Sequence, residues 1–123
     1  MGARLILVVD PEAAVRQTVI DVLSLDEHEV DGAGDAESAL LLLDQRRYDL
    51  VISDLHMPGL DGPALYGALA SRFGDTPPRV MFLTSGTFEP HYGSFLANMR
   101  TPALTKPLKT GRMLDLVRRV LES

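Results

Sequence analysis

Five short apolar stretches, each closed by a turn-forming or polar residue, alternate with stretches whose apolar residues recur every three or four positions. Leu5–Val9 is a continuous apolar run ending at Asp10-Pro11. Residues 49–53 form a second, centred on Leu50-Val51-Ile52, and residues 79–83 a third, after the breaker Thr76-Pro77-Pro78. Ala103–Thr105 is a shorter one between Pro102 and Lys106-Pro107. Residues 28–33 are more polar and predict an edge strand. Continuous runs of this length, bounded by turn signals, suit strands buried on both faces.

Between the runs the period is helical. Val15, Val19, Val22 and Leu23 share one face of residues 12–25. Asp35 is placed to cap a helix whose stripe is Ala36, Ala39, Leu40 and Leu43. Gly62–Phe73 repeats the pattern with Leu65, Ala68, Leu69 and Phe73. Pro90–Met99 is a shorter helix, and residues 111–121 close the chain with Leu114, Val117, Val120 and Leu121. The β-α order, repeated through the chain, predicts an α/β domain: a parallel sheet, right-handed crossovers and helices on both faces. At 123 residues, a single domain over 1–123 is expected.

Composition removes several function classes. With 46% hydrophobic and 24% charged residues the chain is ordinary globular material. No run approaches the roughly 18 apolar residues of a membrane span, so no direct membrane contact is expected. The start runs almost at once into Leu5–Val9, too soon for a signal peptide, and there is no cysteine; both point to a cytoplasmic setting. A formal charge of −5 argues against direct nucleic-acid binding.

In open α/β sheets ligands bind outside the carboxyl ends of the strands. Asp10, Asp54, Thr84 and Lys106 each follow one of the four more apolar runs, so the topology delivers two acids, a hydroxyl and an ammonium to one rim. Taken singly, each has a bland reading. Asp54 suits a turn, Asp10 a helix cap ahead of Pro11, Thr84 a β-branched strand position, and Lys106 a solvated surface. Together they suit phosphoryl chemistry. A carboxylate can act as nucleophile, an ammonium and a hydroxyl can meet phosphoryl oxygens, and two carboxylates with carbonyls and water suit Mg²⁺.

The residues Ile6-Leu7-Val8-Val9-Asp10, Asp54-Leu55-His56-Met57-Pro58-Gly59-Leu60-Asp61-Gly62, Phe82-Leu83-Thr84-Ser85-Gly86 and Leu104-Thr105-Lys106-Pro107-Leu108 resemble, in order and spacing, the receiver domain of two-component response regulators. The resemblance covers the whole chain. It implies a flavodoxin-like (βα)5 three-layer sandwich with strand order 2-1-3-4-5. It implies phosphoryl transfer to Asp54 from a histidine kinase or histidine phosphotransfer protein, and a downstream effector protein or domain. It further implies Mg²⁺ held by Asp10, Asp54 and the backbone carbonyl of His56, with Thr84 and Lys106 on the phosphoryl group. A cis Lys106-Pro107 bond is implied, and Arg16 stands where the family is commonly basic. Beyond phosphorylating and dephosphorylating itself, such a domain is not an enzyme. The resemblance implies a monomer or a weak homodimer.

Three departures qualify this. The family usually places two acids together after the first strand, and the second often touches Mg²⁺; here Pro11 stands there and offers no side-chain oxygen. Glu12, one position on, is the candidate substitute ligand, and metal affinity is expected to fall by at least roughly 10–100-fold. Ala103 occupies a position where the family often has an aromatic ring that swings on phosphorylation. The segment Ser85 to Pro107 resembles receivers at the C-terminus of hybrid sensor histidine kinases. Pro11 and Ala103 keep open a second reading, a phosphorylation-independent interaction module. A phosphohydrolase would need a second acid for proton transfer, which no residue near Asp54 supplies, and no glycine-rich loop follows the first strand to hold a nucleotide. Asp61 is expected to cap the helix at Gly62-Pro63 and Met57 to pack. His56 is expected to contribute its carbonyl from an exposed position, and His28 and His91 to lie in surface loops.

Overall fold

A computed structural model describes residues 3–86 and 90–123. Its elements are β1 (Leu5–Val9), α1 (Ala13–Ser24), β2 (Glu29–Ala33), α2 (Ala36–Gln45), β3 (Leu50–Asp54), α3 (Gly62–Phe73), β4 (Arg79–Thr84), α4 (Pro90–Met99), β5 (Ala103–Thr105) and α5 (Thr110–Glu122). The sheet is parallel throughout, in the order β2-β1-β3-β4-β5. This is the flavodoxin-like arrangement expected from the sequence. Residues 87–89 of the hybrid-kinase-like segment lie outside the described residues.

The continuous apolar runs are explained by the two-residue period of a strand. Ile6, Val8, Leu50 and Ile52 face one side, where Val19, Val22 and Leu23 of α1 and Val117, Val120 and Leu121 of α5 cover them. Leu7, Val9 and Val51 face the other, under Ala36, Ala39 and Leu43 of α2 and Leu65 and Leu69 of α3. A third cluster centres on Leu55, Phe82 and Tyr92 beneath α4. Each fully buried aliphatic side chain stabilises the fold by roughly 1.5–3 kcal/mol. β2 is an edge strand with only Ala33 buried, as its polar sequence predicts.

Three expectations shift. Met113 is the buried residue of the first turns of α5, while Leu114 is only partly covered, because the sheet lies on the Met113 side of Val117. β2 begins at Glu29, not at residue 28. His28 is no loop surface residue: it is buried, and its Nδ1 accepts a hydrogen bond from the Arg4 backbone at 3.1 Å. Burial lowers its pKa from the ordinary histidine value, with the nearby Asp26 pulling the other way.

The β3–α3 loop is drawn tight by two backbone hydrogen bonds, Leu55 N to Leu83 O at 3.0 Å and Gly62 N to Leu55 O at 2.9 Å. Gly62 is required here for space. A Cβ at that position would meet Asp54 O at 2.8 Å, Phe82 Cε1 at 2.9 Å and Leu55 Cα at 3.0 Å. Two of these atoms are backbone, so the contact cannot be relieved by a rotamer change alone. Gly62→Ala is therefore expected to cost about 1–3 kcal/mol, read as a lower urea midpoint with an unchanged m-value; an unchanged midpoint would mean the loop can open without loss.

Candidate functional site

The carboxyl ends of β1, β3, β4 and β5 bring Asp10, Asp54, Thr84 and Lys106 to one rim, as the sequence predicts. Asp54, Thr84 and Lys106 border a cleft of about 520 Å³ whose lining also includes Glu12, His56 and Tyr92; the fully buried Asp10 does not line it but lies 2.9 Å from Lys106 Nζ. Asp54 is the last residue of β3, and its side chain is 14% exposed. Lys106 directly follows β5 and is joined to Pro107 by a cis peptide bond, and its backbone N–H donates to Thr84 O at 2.7 Å. Thr84 is buried, and its Oγ1 accepts from Gly86 N at 3.2 Å.

Asp10 is wholly buried and held at three atoms, its backbone N–H donating to Ala33 O at 3.1 Å. Its Oδ1 accepts from Glu12 N at 2.9 Å, a local turn that starts the chain toward α1. Its backbone oxygen accepts from Arg16 Nη1 at 2.6 Å. Gly32 and Gly34 leave room for the arginine: a Cβ on either would come within 3.5 Å of its side chain. The remaining oxygen, Oδ2, accepts no hydrogen bond. Its near neighbour is Lys106 Nζ at 2.9 Å, out of line for a directed bond. The same ammonium is 3.5 Å from Asp54 Oδ2 and 3.8 Å from Glu12 Oε1.

These charges do not balance. Asp54 is pushed above the ordinary carboxylate range, first by burial and then by the charge of Asp10, with Lys106 pulling it back only in part. Burial alone would lower Lys106, yet its contacts with Asp10 and Asp54 carry it above the usual lysine value. Two carboxylates share one ammonium, and a buried oxygen is left without a hydrogen bond. That donor set fits a hard divalent cation, which takes one or two carboxylates and completes its shell with carbonyls and water. No cluster of three or more His, Cys, Asp or Glu side chains arranged for a metal is present among the described residues. Pro11 is exposed.

Other expectations fall into place. Asp61 caps α3, its Oδ1 accepting from Ala64 N at 3.0 Å. Met57 is buried packing. His56 is exposed, but its ring is not idle: Nδ1 lies 3.2 Å from the Tyr92 hydroxyl, which donates to Asp61 Oδ2 at 2.9 Å. Sequence reasoning missed Tyr92. These partners are 36 and 31 residues apart, and no local pattern links them.

A carboxyl raised in the folded state binds its proton more tightly there than in the unfolded chain. Its favourable contribution is therefore complete below the unfolded pKa and is lost as pH rises through the folded pKa. At neutral pH the ionised Asp54 works against folding. Asp54→Asn is expected to unfold at higher urea than the wild type near neutral pH, with the gap closing on acidification through the carboxylate range. A gap that widens on acidification would contradict this charge assignment.

Residues 6–118 match the family model described as the response regulator receiver domain. The chain is 37% identical over 125 residues to the response regulator protein FleR of Pseudomonas aeruginosa, covering 97% of this chain but 24% of that protein. It is 33% identical over 119 residues to the sensor histidine kinase AruS of the same organism, covering 94% of this chain and 11% of that one. The chain thus spans about a quarter or less of these two relatives. Among solved structures, it superimposes on the response regulator TrrA of Thermotoga maritima in complex with Mg²⁺-BeF, with a TM-score of 0.80 and 29% identity over 95% of this chain and 98% of that one. No helix of the described residues is long and apolar enough to cross a membrane.

Proposed function

The chain belongs to the response regulator receiver family, whose members act in two-component signalling, and from that premise we propose that it accepts a phosphoryl group on Asp54 in a Mg²⁺-dependent reaction. The observation that carries the reading is the meeting of Asp54, Thr84 and Lys106 at one cleft, with Lys106 Nζ 3.5 Å from Asp54 Oδ2 and 2.9 Å from the buried Asp10 Oδ2. The whole chain, 1–123, serves as one such domain. Its partners are a histidine kinase or histidine phosphotransfer protein as donor and an effector as target, in the cytoplasm, with no direct contact to nucleic acid or membrane. Both a response regulator and a sensor kinase are among its relatives, which supports either kind of parent chain.

The step is an exchange of bonds at phosphorus. An Asp54 carboxylate oxygen forms the new P–O bond as the donor's P–N bond breaks, and the electron pair of that bond returns to the imidazole. Burial and Asp10 keep Asp54 more basic than an ordinary carboxylate, which favours attack. Lys106 is already at the carboxylate and can follow charge onto the phosphoryl oxygens. The Thr84 hydroxyl accepts from Gly86 N, which leaves its own hydrogen to donate to another phosphoryl oxygen. Asp10 and Asp54, with the His56 carbonyl, would hold Mg²⁺, and Glu12 is close enough to Lys106 to join them. When bound, the metal supplies Lewis-acid neutralisation of phosphoryl charge.

Intact-protein mass spectrometry after incubation with a small acyl phosphate tests this. A single phosphoryl adduct should form with Mg²⁺, be lost with chelator and be absent in Asp54→Asn. Lys106→Met should slow its formation by about 10²-fold, the loss typical of one preorganised donor. An adduct that persists in Asp54→Asn would refute the assignment.

A second reading has one observation behind it. Pro11 stands where the family usually has a second acid, which favours an interaction module that works without phosphorylation. In that case a histidine phosphotransfer protein would bind equally well with and without phosphodonor, and no adduct would form.

A further inference from the structure

His56 is an exposed residue of the β3–α3 loop, two positions past Asp54. Among the described residues, Tyr92 is the side chain that hydrogen-bonds its ring. Tyr92 itself is only 5% exposed, sits in the first turn of α4, and donates its hydroxyl to Asp61 Oδ2 at 2.9 Å. An ionised carboxylate only accepts, so the hydroxyl hydrogen is committed to Asp61, and the Tyr92 oxygen is left to accept from His56 Nδ1–H. Asp61 is fixed in turn by capping α3 through its other oxygen. The imidazole is thereby tied to the start of two helices.

This tether matters because of what lies next to it. Leu55 is held on one side by its hydrogen bonds to Leu83 and Gly62. His56 follows it as an exposed residue between the buried Leu55 and Met57, and its ring hydrogen-bonds the buried Tyr92. Groups that orient a metal ligand from behind commonly set affinity nearly as much as the ligand does. We infer that Tyr92, backed by Asp61, is a positioning residue for the divalent cation, holding His56 so that its peptide carbonyl is available to the cleft. The inference rests on the reading that the cleft takes such a cation with that carbonyl among its ligands. It carries a consequence for signalling. Tyr92 belongs to α4, so a partner that shifts α4 would change cation affinity, and the cation would change partner affinity by the same factor.

Titration with Mn²⁺ as a paramagnetic probe, followed by the free-ion resonance and by Mg²⁺ competition, tests this on wild type, Tyr92→Phe, His56→Leu and the double variant. Each single variant should weaken Mn²⁺ binding about tenfold, the lower end of the usual range for such supporting groups. The double variant should be no weaker than the singles within about twofold, since both remove one tether. Affinities unchanged within about twofold in the single variants, or losses that add in the double, would overturn the inference and leave the metal reading intact. Additive loss is what a loosened α4 would give. If the wild type binds no Mn²⁺, the metal reading fails and this inference with it. His56 is exposed, so His56→Leu decides the matter even should Tyr92→Phe not fold.

Discussion

The ammonium of Lys106 between Asp10 and Asp54 is the contact on which the rest of this rim depends. Asp10 is fully buried, and a buried carboxylate is tolerable only when it is paired or hydrogen-bonded. Glu12 and Arg16 satisfy part of Asp10, and Lys106 offsets its remaining charge at 2.9 Å. Burial, and then the charge of Asp10, still raise the pKa of Asp54, because Lys106 compensates it only in part. The site is thus built with a deficit of positive charge. An incoming cation meets a region already arranged to receive it.

The departures from the usual family pattern act at different distances from this contact. Pro11 removes a potential ligand but keeps the turn, because the turn is made by Asp10 Oδ1 with the backbone of Glu12 and not by residue 11. Ala103 removes a ring from β5. The aromatic packing near it comes from elsewhere: Phe82 of β4 meets Phe95 of α4 edge-on at 5.5 Å, and Tyr66 of α3 meets the same Phe95 at 5.6 Å. Ala103 packs against this cluster. Aromatic contact between the sheet and α4 therefore persists, carried by residues whose positions along the chain do not announce it.

Much of the fold was legible because strands buried on both faces must be apolar at every position, and helices lying on them must be apolar at every third or fourth. Leu5–Val9 and the stripe Val19, Val22 and Leu23 could hardly be read otherwise. Errors came where the two signals weaken. His28 looked like loop because one polar residue at a strand edge carries no period, yet a backbone donor from Arg4 made its burial tolerable. Met113 and Leu114 are adjacent, and periodicity cannot choose between neighbours when both are apolar.

What the sequence determined by itself was the alternation of elements and, through it, which four residues leave the strand ends together. That follows from chain direction: in a parallel sheet every strand delivers its next residue to the same edge. Only the tertiary structure decided how those residues share charge, since Asp10, Asp54 and Lys106 come from three strands and their distances depend on register and burial. It alone revealed the link from His56 through Tyr92 to Asp61. Hydrogen bonds between side chains more than thirty residues apart leave no periodic trace in a chain.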